Sequence, residues 1–150
     1  MIKNRPRRFD LFYIHDPVFY ITCCTRNRRA IRELHAANDA FSRYSERARE
    51  HNIAVGRYVF MPDHLHLFVK GDLDFTLSRW MAGLKRATAV ALGCSSSELW
   101  QPGFFDHVLR SDESYAEKWN YVKENPVRAG LVQIASEWPY EGEIVIIDRV

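Results

Sequence analysis

Long apolar runs are missing from this 150-residue sequence. No stretch approaches the roughly 20 apolar residues of a membrane helix, and the opening Met1-Ile2-Lys3-Asn4-Arg5-Pro6-Arg7-Arg8 lacks the apolar segment of a signal peptide, so a cytoplasmic protein without a membrane partner is expected. Cysteine is scarce as well. Cys23, Cys24 and Cys94 have no metal-ligand spacing, and the first two would point to opposite sides of a strand, which fits a reduced compartment rather than a disulfide scaffold. Repeats and low-complexity segments are absent. With 47% hydrophobic residues the chain can bury one ordinary core, and a single domain over residues 1–150 is expected.

Net charge is also small, +2, but it is unevenly spread. Residues 1–32 carry eight Lys/Arg against Asp10 and Asp16, a local balance of +6 that leaves −4 for the rest. Such asymmetry suits contact with a polyanion such as nucleic acid. A solvated basic tail would have the same composition.

What is present divides into alternating extended and helical patterns. Val18 to Cys24 follows Pro17 and is rich in β-branched and aromatic residues, which predicts a strand. Leu34, Ala37, Phe41, Tyr44 and Ala48 recur at three- and four-residue steps and predict a helix over about 34–51. Ile53–Met61 and His64–Val69, separated by Pro62-Asp63, predict an antiparallel hairpin. Asp74 is the expected N-cap of a second helix with Leu77, Trp80, Met81, Leu84, Ala87 and Ala91 on one stripe, ended by Gly93, and Cys94–Ser97 is the expected loop after it. Phe104–Arg110 would supply a fourth strand. The order strand-helix-strand-strand-helix-strand predicts an α+β, ferredoxin-like antiparallel sheet with helices on one face. Beyond it, a third helix is expected over about 112–125, begun near Ser111/Ser114 and stopped by Pro126. Ile144–Ile147 in the tail (126–150) reads as an edge strand or a packing segment.

Side chains alternate across a strand, so His64 and His66 share one face and Leu65, Leu67 and Val69 the other. The leucine face is composed to pack on helices, leaving the histidine face toward solvent or a ligand. Two imidazoles spaced this way can converge on one cation such as zinc or manganese while leaving coordination positions open for a phosphodiester oxygen. An isolated His-x-His is common, however, and most such pairs bind nothing. On the third helix Tyr115, Trp119 and Val122 make a core stripe, and Tyr121 lies off it beside Lys118 and Asn125. A phenol there could reach outward as a nucleophile, or its ring could simply pack on the domain edge.

Three blocks, Met61-Pro62-Asp63-His64-Leu65-His66-Leu67-Phe68, Trp100 to Arg110, and Tyr121 to Val132, resemble in order those of the single-tyrosine HUH transposases, and within them the REP-associated tyrosine transposases of bacteria. The likeness spans about residues 9–140. It implies the HUH endonuclease fold, a basic segment (1–10), a ferredoxin-like core (about 11–110) and a helix carrying the nucleophilic Tyr121. It further implies magnesium or manganese held by His64 and His66, with Asn125 completing the site, and attack by Tyr121 on single-stranded DNA to give a 5′-phosphotyrosine and a free 3′-hydroxyl. A hairpin with an adjacent single-stranded tract is the implied DNA partner, and no organic cofactor is implied. Related insertion-sequence enzymes work as dimers that exchange the tyrosine helix, whereas the REP-associated subgroup looks more monomeric, and a monomer is expected.

Arg5, Arg7, Arg8, Lys85, Arg86, His107 and Arg110 are the candidates for DNA contacts. For Phe104 and Phe105, stacking on unpaired bases competes with core packing, the better-supported reading. One rival is a non-catalytic ferredoxin-like module that binds hairpin DNA or RNA. It would need neither the histidine pair nor an off-stripe Tyr121. A two-histidine phosphoesterase would need two His-x-Thr or His-x-Ser motifs, and the single pair here reads His-Leu-His.

Overall fold

A computed structural model describes residues 17–72, 74–110 and 114–147. Pro17 leads into β1 (Val18–Cys24), and α1 (Leu34–Arg47) follows, tightening into a 3₁₀ turn over Ala48–His51 that closes at the left-handed Asn52. The hairpin β2 (Ile53–Met61) and β3 (His64–Gly71) turns at Pro62-Asp63, with Met61 opposite His64. After α2 (Leu77–Ala91), a one-turn α3 (Ser96–Leu99) and β4 (Phe105–Val108) come the helix α4 (Tyr115–Val122), a one-turn α5 (Asn125–Arg128) and β5 (Glu141–Glu143). All pairings are antiparallel and the sheet runs β4-β1-β3-β2-β5. The first four of these strands in chain order, with α1 and α2, give the expected ferredoxin-like arrangement.

Each face of the sheet has its own core. Phe19, Ile21 and Cys23 of β1, Phe60 of β2 and Leu65, Leu67 and Val69 of β3 pack against Phe41 of α1 and Met81 and Leu84 of α2. The alternate residues Val18, Tyr20, Val59, Met61 and Phe68 pack against Tyr115, Trp119 and Val122 of α4 and against Ile147. The two long helices thus share one face as expected, and the tyrosine helix covers the other. The histidine face is therefore not open along its length: α4 roofs part of it, and His66 is only 9% exposed.

The docking of α4 depends on an irregularity in β2. The β2–β3 register shifts between Val55 and Tyr58, and the Arg57 N–H, which points out of the ladder, donates to the Tyr115 hydroxyl at 2.8 Å. Gly56 makes room for this contact, because a Cβ there would collide with the Tyr115 hydroxyl and the Ile147 side chain.

Several local expectations need correction. Asp74 does not cap α2. Its N–H donates to Asp72 Oδ1 in a turn, and Thr76 occupies the N-cap position. Ala91, expected on the buried stripe of α2, is exposed. The 94–97 segment is not all loop, since Ser95 and Glu98 form a capping box that starts α3. The tyrosine helix ends at Val122, and Pro126 sits in the first turn of α5, where a missing N–H costs nothing. Tyr121 and Asn125 consequently lie on successive short helices rather than at i and i+4 of one. In the tail, the edge strand is Glu141–Glu143. Ile144–Ile147 runs on past the β2 irregularity, where Ile144 and Val145 N–H bond to Gly56 and Val55 carbonyls and Ile147 is buried.

Candidate active site

His64 and His66 stand together on the face that α4 roofs, with ring centroids 4.6 Å apart in a T-shaped arrangement. Each imidazole is held through the same nitrogen. His64 Nδ1 lies 2.7 Å from Asp63 Oδ1, and Arg28 pairs with the other carboxylate oxygen at 3.2 Å. Burial alone would raise the Asp63 carboxyl, but the hydrogen bond and charge of His64, with Arg28, outweigh it and hold the group below the ordinary carboxylate range. His66 Nδ1 lies 2.9 Å from both the Tyr20 and the Thr22 hydroxyl. The Tyr20 ring stacks beside His66 with centroids 5.7 Å apart. Burial, then the positive charges of His64, Arg128, Arg28 and Lys118, pushes the His66 pKa down to about 3, so its ring is neutral at any pH near 7.

With both Nδ1 atoms engaged by the protein, Nε2 is the nitrogen left on each ring, and neither has a hydrogen-bond partner among the described residues. Two imidazoles 4.6 Å apart, each tethered through Nδ1 with Nε2 left over, are a donor set that fits a divalent cation. Among the described residues no group of three His, Cys, Asp or Glu side chains gathers there, so further ligands would have to be amide, solvent or substrate oxygens.

Tyr121 is 65% exposed, off the buried stripe as expected. The Arg128 guanidinium lies over its ring, 4.1 Å from the centroid, and donates to the Tyr121 carbonyl at 2.9 Å. The Tyr20 pKa is raised by burial, and a charge on Tyr121 adds to the rise. Tyr121 shares α4 with Trp119 and Val122, which pack in one cluster with Tyr20, the residue that holds His66. Lys118 Nζ sits 4.8 Å above the Tyr20 ring. Asn125 turns its amide NH2 back to the Val122 carbonyl at 2.7 Å, which leaves Oδ1 as its available donor atom.

The remaining candidates are dispersed. His107 is cross-strand from Tyr20, on the histidine face. Arg110 follows Leu109, whose N–H bonds to the Val18 carbonyl at the end of β1 away from Thr22. Lys85 and Arg86 belong to α2, in the helix layer behind the sheet. The Lys85 ammonium donates to the Gln101 and Gly103 carbonyls at 3.0 and 2.6 Å, so it secures the loop leading to β4. Arg5, Arg7 and Arg8 lie outside the described residues. Phe104 packs partly against the core, but Phe105 is 60% exposed and cross-strand from Thr22, which overturns core packing for Phe105.

Sequence reasoning missed the loop after β1. Arg26, Arg29 and Arg32, with Thr25, line a cavity of about 470 Å³. Asn27 and Arg28 both adopt left-handed conformations, φ 56° and 54°, a strained pair for non-glycine residues. The loop is pinned to the hairpin turn, with Thr25 Oγ1 donating to the Arg29 and Asp63 carbonyls and Ile31 N–H to the Pro62 carbonyl. Arg28 is thereby delivered to Asp63 and His64. Four arginines within seven residues were the available signal.

Comparison with known proteins agrees with this geometry. Residues 14–125 match the family model described as "Transposase IS200 like". A REP-associated tyrosine transposase of Escherichia coli K12 is 30% identical over 134 residues, covering 86% of this chain and 78% of the relative. A solved REP-associated tyrosine transposase bound to a REP hairpin superposes with a TM-score of 0.67 at 28% identity, covering 84% of this chain and 76% of that one. A crystal structure of a candidate transposase from Deinococcus radiodurans shares the fold, with a TM-score of 0.53 at 17% identity over 75% of this chain and 92% of that one. Sheet, paired histidines, roofing tyrosine helix and these matches converge: the chain belongs to the IS200-like transposases, the tyrosine HUH enzymes that nick and join DNA.

Proposed function

We propose that the chain is a metal-dependent endonuclease and strand transferase for hairpin-containing single-stranded DNA, with Tyr121 as nucleophile. The observation that carries this reading is the pairing of two Nδ1-tethered histidines with an exposed tyrosine on the helix that packs over the Tyr20 face of the sheet. The hairpin partner is supported by likeness to the structure solved with a REP hairpin.

In the proposed step Tyr121 Oη bonds to the scissile phosphorus, the phosphorus–O3′ bond breaks, and the phenol's proton ends on the departing 3′-hydroxyl. One phosphodiester is exchanged for another, so a later 3′-hydroxyl can attack the phosphotyrosine and rejoin strands. His64 and His66, with Asn125 Oδ1, would hold magnesium or manganese. Bound there, the cation would polarise a phosphoryl oxygen. Arg128 stacks on the Tyr121 ring and grips its carbonyl, which restrains the nucleophile's helix turn. Arg28 and Lys118 add positive charge around the site, favouring a phosphate's approach. Phe105 is placed to stack on an unpaired base, with Arg5, Arg7, Arg8, Lys85, Arg86, His107 and Arg110 as further DNA contacts. No organic cofactor is part of the proposal.

The reading takes the protein as a monomer in which Tyr121 serves the histidines of the same chain, with the stripe of α4 buried against its own sheet. Residues 1–150 are read as one transposase domain working in the bacterial cytoplasm. The test is cleavage of labelled single-stranded hairpins taken from around the gene, with manganese or with chelator. Metal-dependent nicking beside the hairpin, lost in His66→Ala, is expected. Tight hairpin binding without nicking would favour a non-catalytic binding module.

A further inference from the structure

The two histidines are oriented by different chemistry. Asp63 is a carboxylate, and an ionised carboxylate only accepts hydrogen bonds. The 2.7 Å contact therefore places a proton on His64 Nδ1. His66 has no carboxylate. Its Nδ1 is flanked by two hydroxyls, Tyr20 Oη and Thr22 Oγ1, each at 2.9 Å, and a hydroxyl can either donate or accept.

The contact geometry selects the accepting arrangement. A bare imidazole nitrogen has one lone pair and takes one donor well, whereas an N–H can be shared between two oxygens in a three-centre bond. Equal distances to both hydroxyls suit the second case.

We propose that Tyr20 and Thr22 are positioning residues for His66: their hydroxyl oxygens accept a hydrogen bond from its Nδ1–H, which leaves the Nε2 lone pair for a cation. Nδ1 is thereby the tethered nitrogen on both rings, through a carboxylate on one and two neutral hydroxyls on the other. The inference rests on the metal-dependent reading above and adds two residues to it. Tyr20 is suited to the task because its ring is locked between His66 and Phe68, with centroids 5.7 and 5.2 Å away. Thr22 is suited because β3 pairs it directly with His66.

The test uses the full chain, Tyr20→Phe and Thr22→Val singly and together, and Thr22→Ser as the conservative control. Nitrogen-15 NMR of the histidine rings in metal-free protein reads the tautomer, and calorimetric titration with manganese reads the affinity. His66 should carry its proton on Nδ1 in the parent chain. The double variant should bind manganese about 10- to 100-fold more weakly, the usual scale for losing groups that orient a metal-ligating histidine, and Thr22→Ser should bind as the parent does. A parent His66 protonated on Nε2, or a folded double variant with unchanged manganese affinity, overturns the proposal while leaving the metal-dependent reading intact. A parent chain that binds no manganese overturns both. If the double variant does not fold, the Thr22 pair decides: weakened binding in Val but not in Ser is expected, and equal affinities refute the role.

Discussion

His66 is the residue whose protonation the fold opposes most clearly. Its pKa is pushed from the ordinary 6.5 to about 3, first by burial and then by the cations around it. Between these values the unfolded chain binds a proton that the folded chain refuses, so stability falls as pH drops from about 6.5 toward 3. The slope from this group is at most about 1.4 kcal/mol per pH unit. Denaturant titrations in chelator should show that loss, and His66→Gln should lose less over the same window. A parallel loss in both proteins would place the effect elsewhere. Asp63 acts in the same direction at lower pH, since its depressed carboxyl contributes stability that is lost as acid protonates it.

At the scale of elements, the question is what keeps α4 and its tyrosine over the histidines. One polar tie is the Arg57 N–H to the Tyr115 hydroxyl, made possible by Gly56. Tyr115→Phe would leave a backbone donor without its partner and should destabilise by about 1–3 kcal/mol. Hydrogen exchange in α4 should rise more than in α1. Equal rises would show that the tie does not single out the tyrosine helix. Ser114 caps the same helix by accepting from the Glu117 N–H at 3.1 Å, and Ser114→Ala should cost about 1 kcal/mol in a thermal melt.

The sequence made α4's buried stripe plain, because Tyr115, Trp119 and Val122 recur at helical spacing. The break after Val122 was not legible in the same way, since Pro126 serves equally to stop one helix or to open the next. The capping box that starts α3 left a local signal, Ser95-Ser96-Ser97-Glu98, that the loop expectation for 94–97 passed over. The Thr76 start of α2 was not, because Asp74 is the better capping residue by type and is drawn instead into a turn with Asp72.

For the whole molecule, alternation along β1 and β3 showed which residues share a face, but which element covers that face is a long-range property. Nothing local in His64-Leu65-His66 says that a helix some 50 residues later will bury one ring, or that Tyr20 and Thr22 of another strand will hold it. The arginine loop has the same character: its charge is visible in the sequence, and its delivery to Asp63 comes from strand pairing. If Arg26, Arg29 and Arg32 meet the DNA backbone, Arg26→Ala and Arg29→Ala should each weaken hairpin binding and reduce the salt slope by up to about 0.7–0.9 per lost phosphate contact. Unchanged slopes would remove the loop from the interface.

The central claim is that Tyr121 forms the covalent link. Hairpin-bearing single strands incubated with the protein and manganese, then resolved under denaturing conditions, test it most directly. A DNA-linked protein band whose adduct maps to Tyr121, requires metal and is absent from Tyr121→Phe is the predicted result. Cleavage that persists in Tyr121→Phe, or an adduct on another residue, would contradict it.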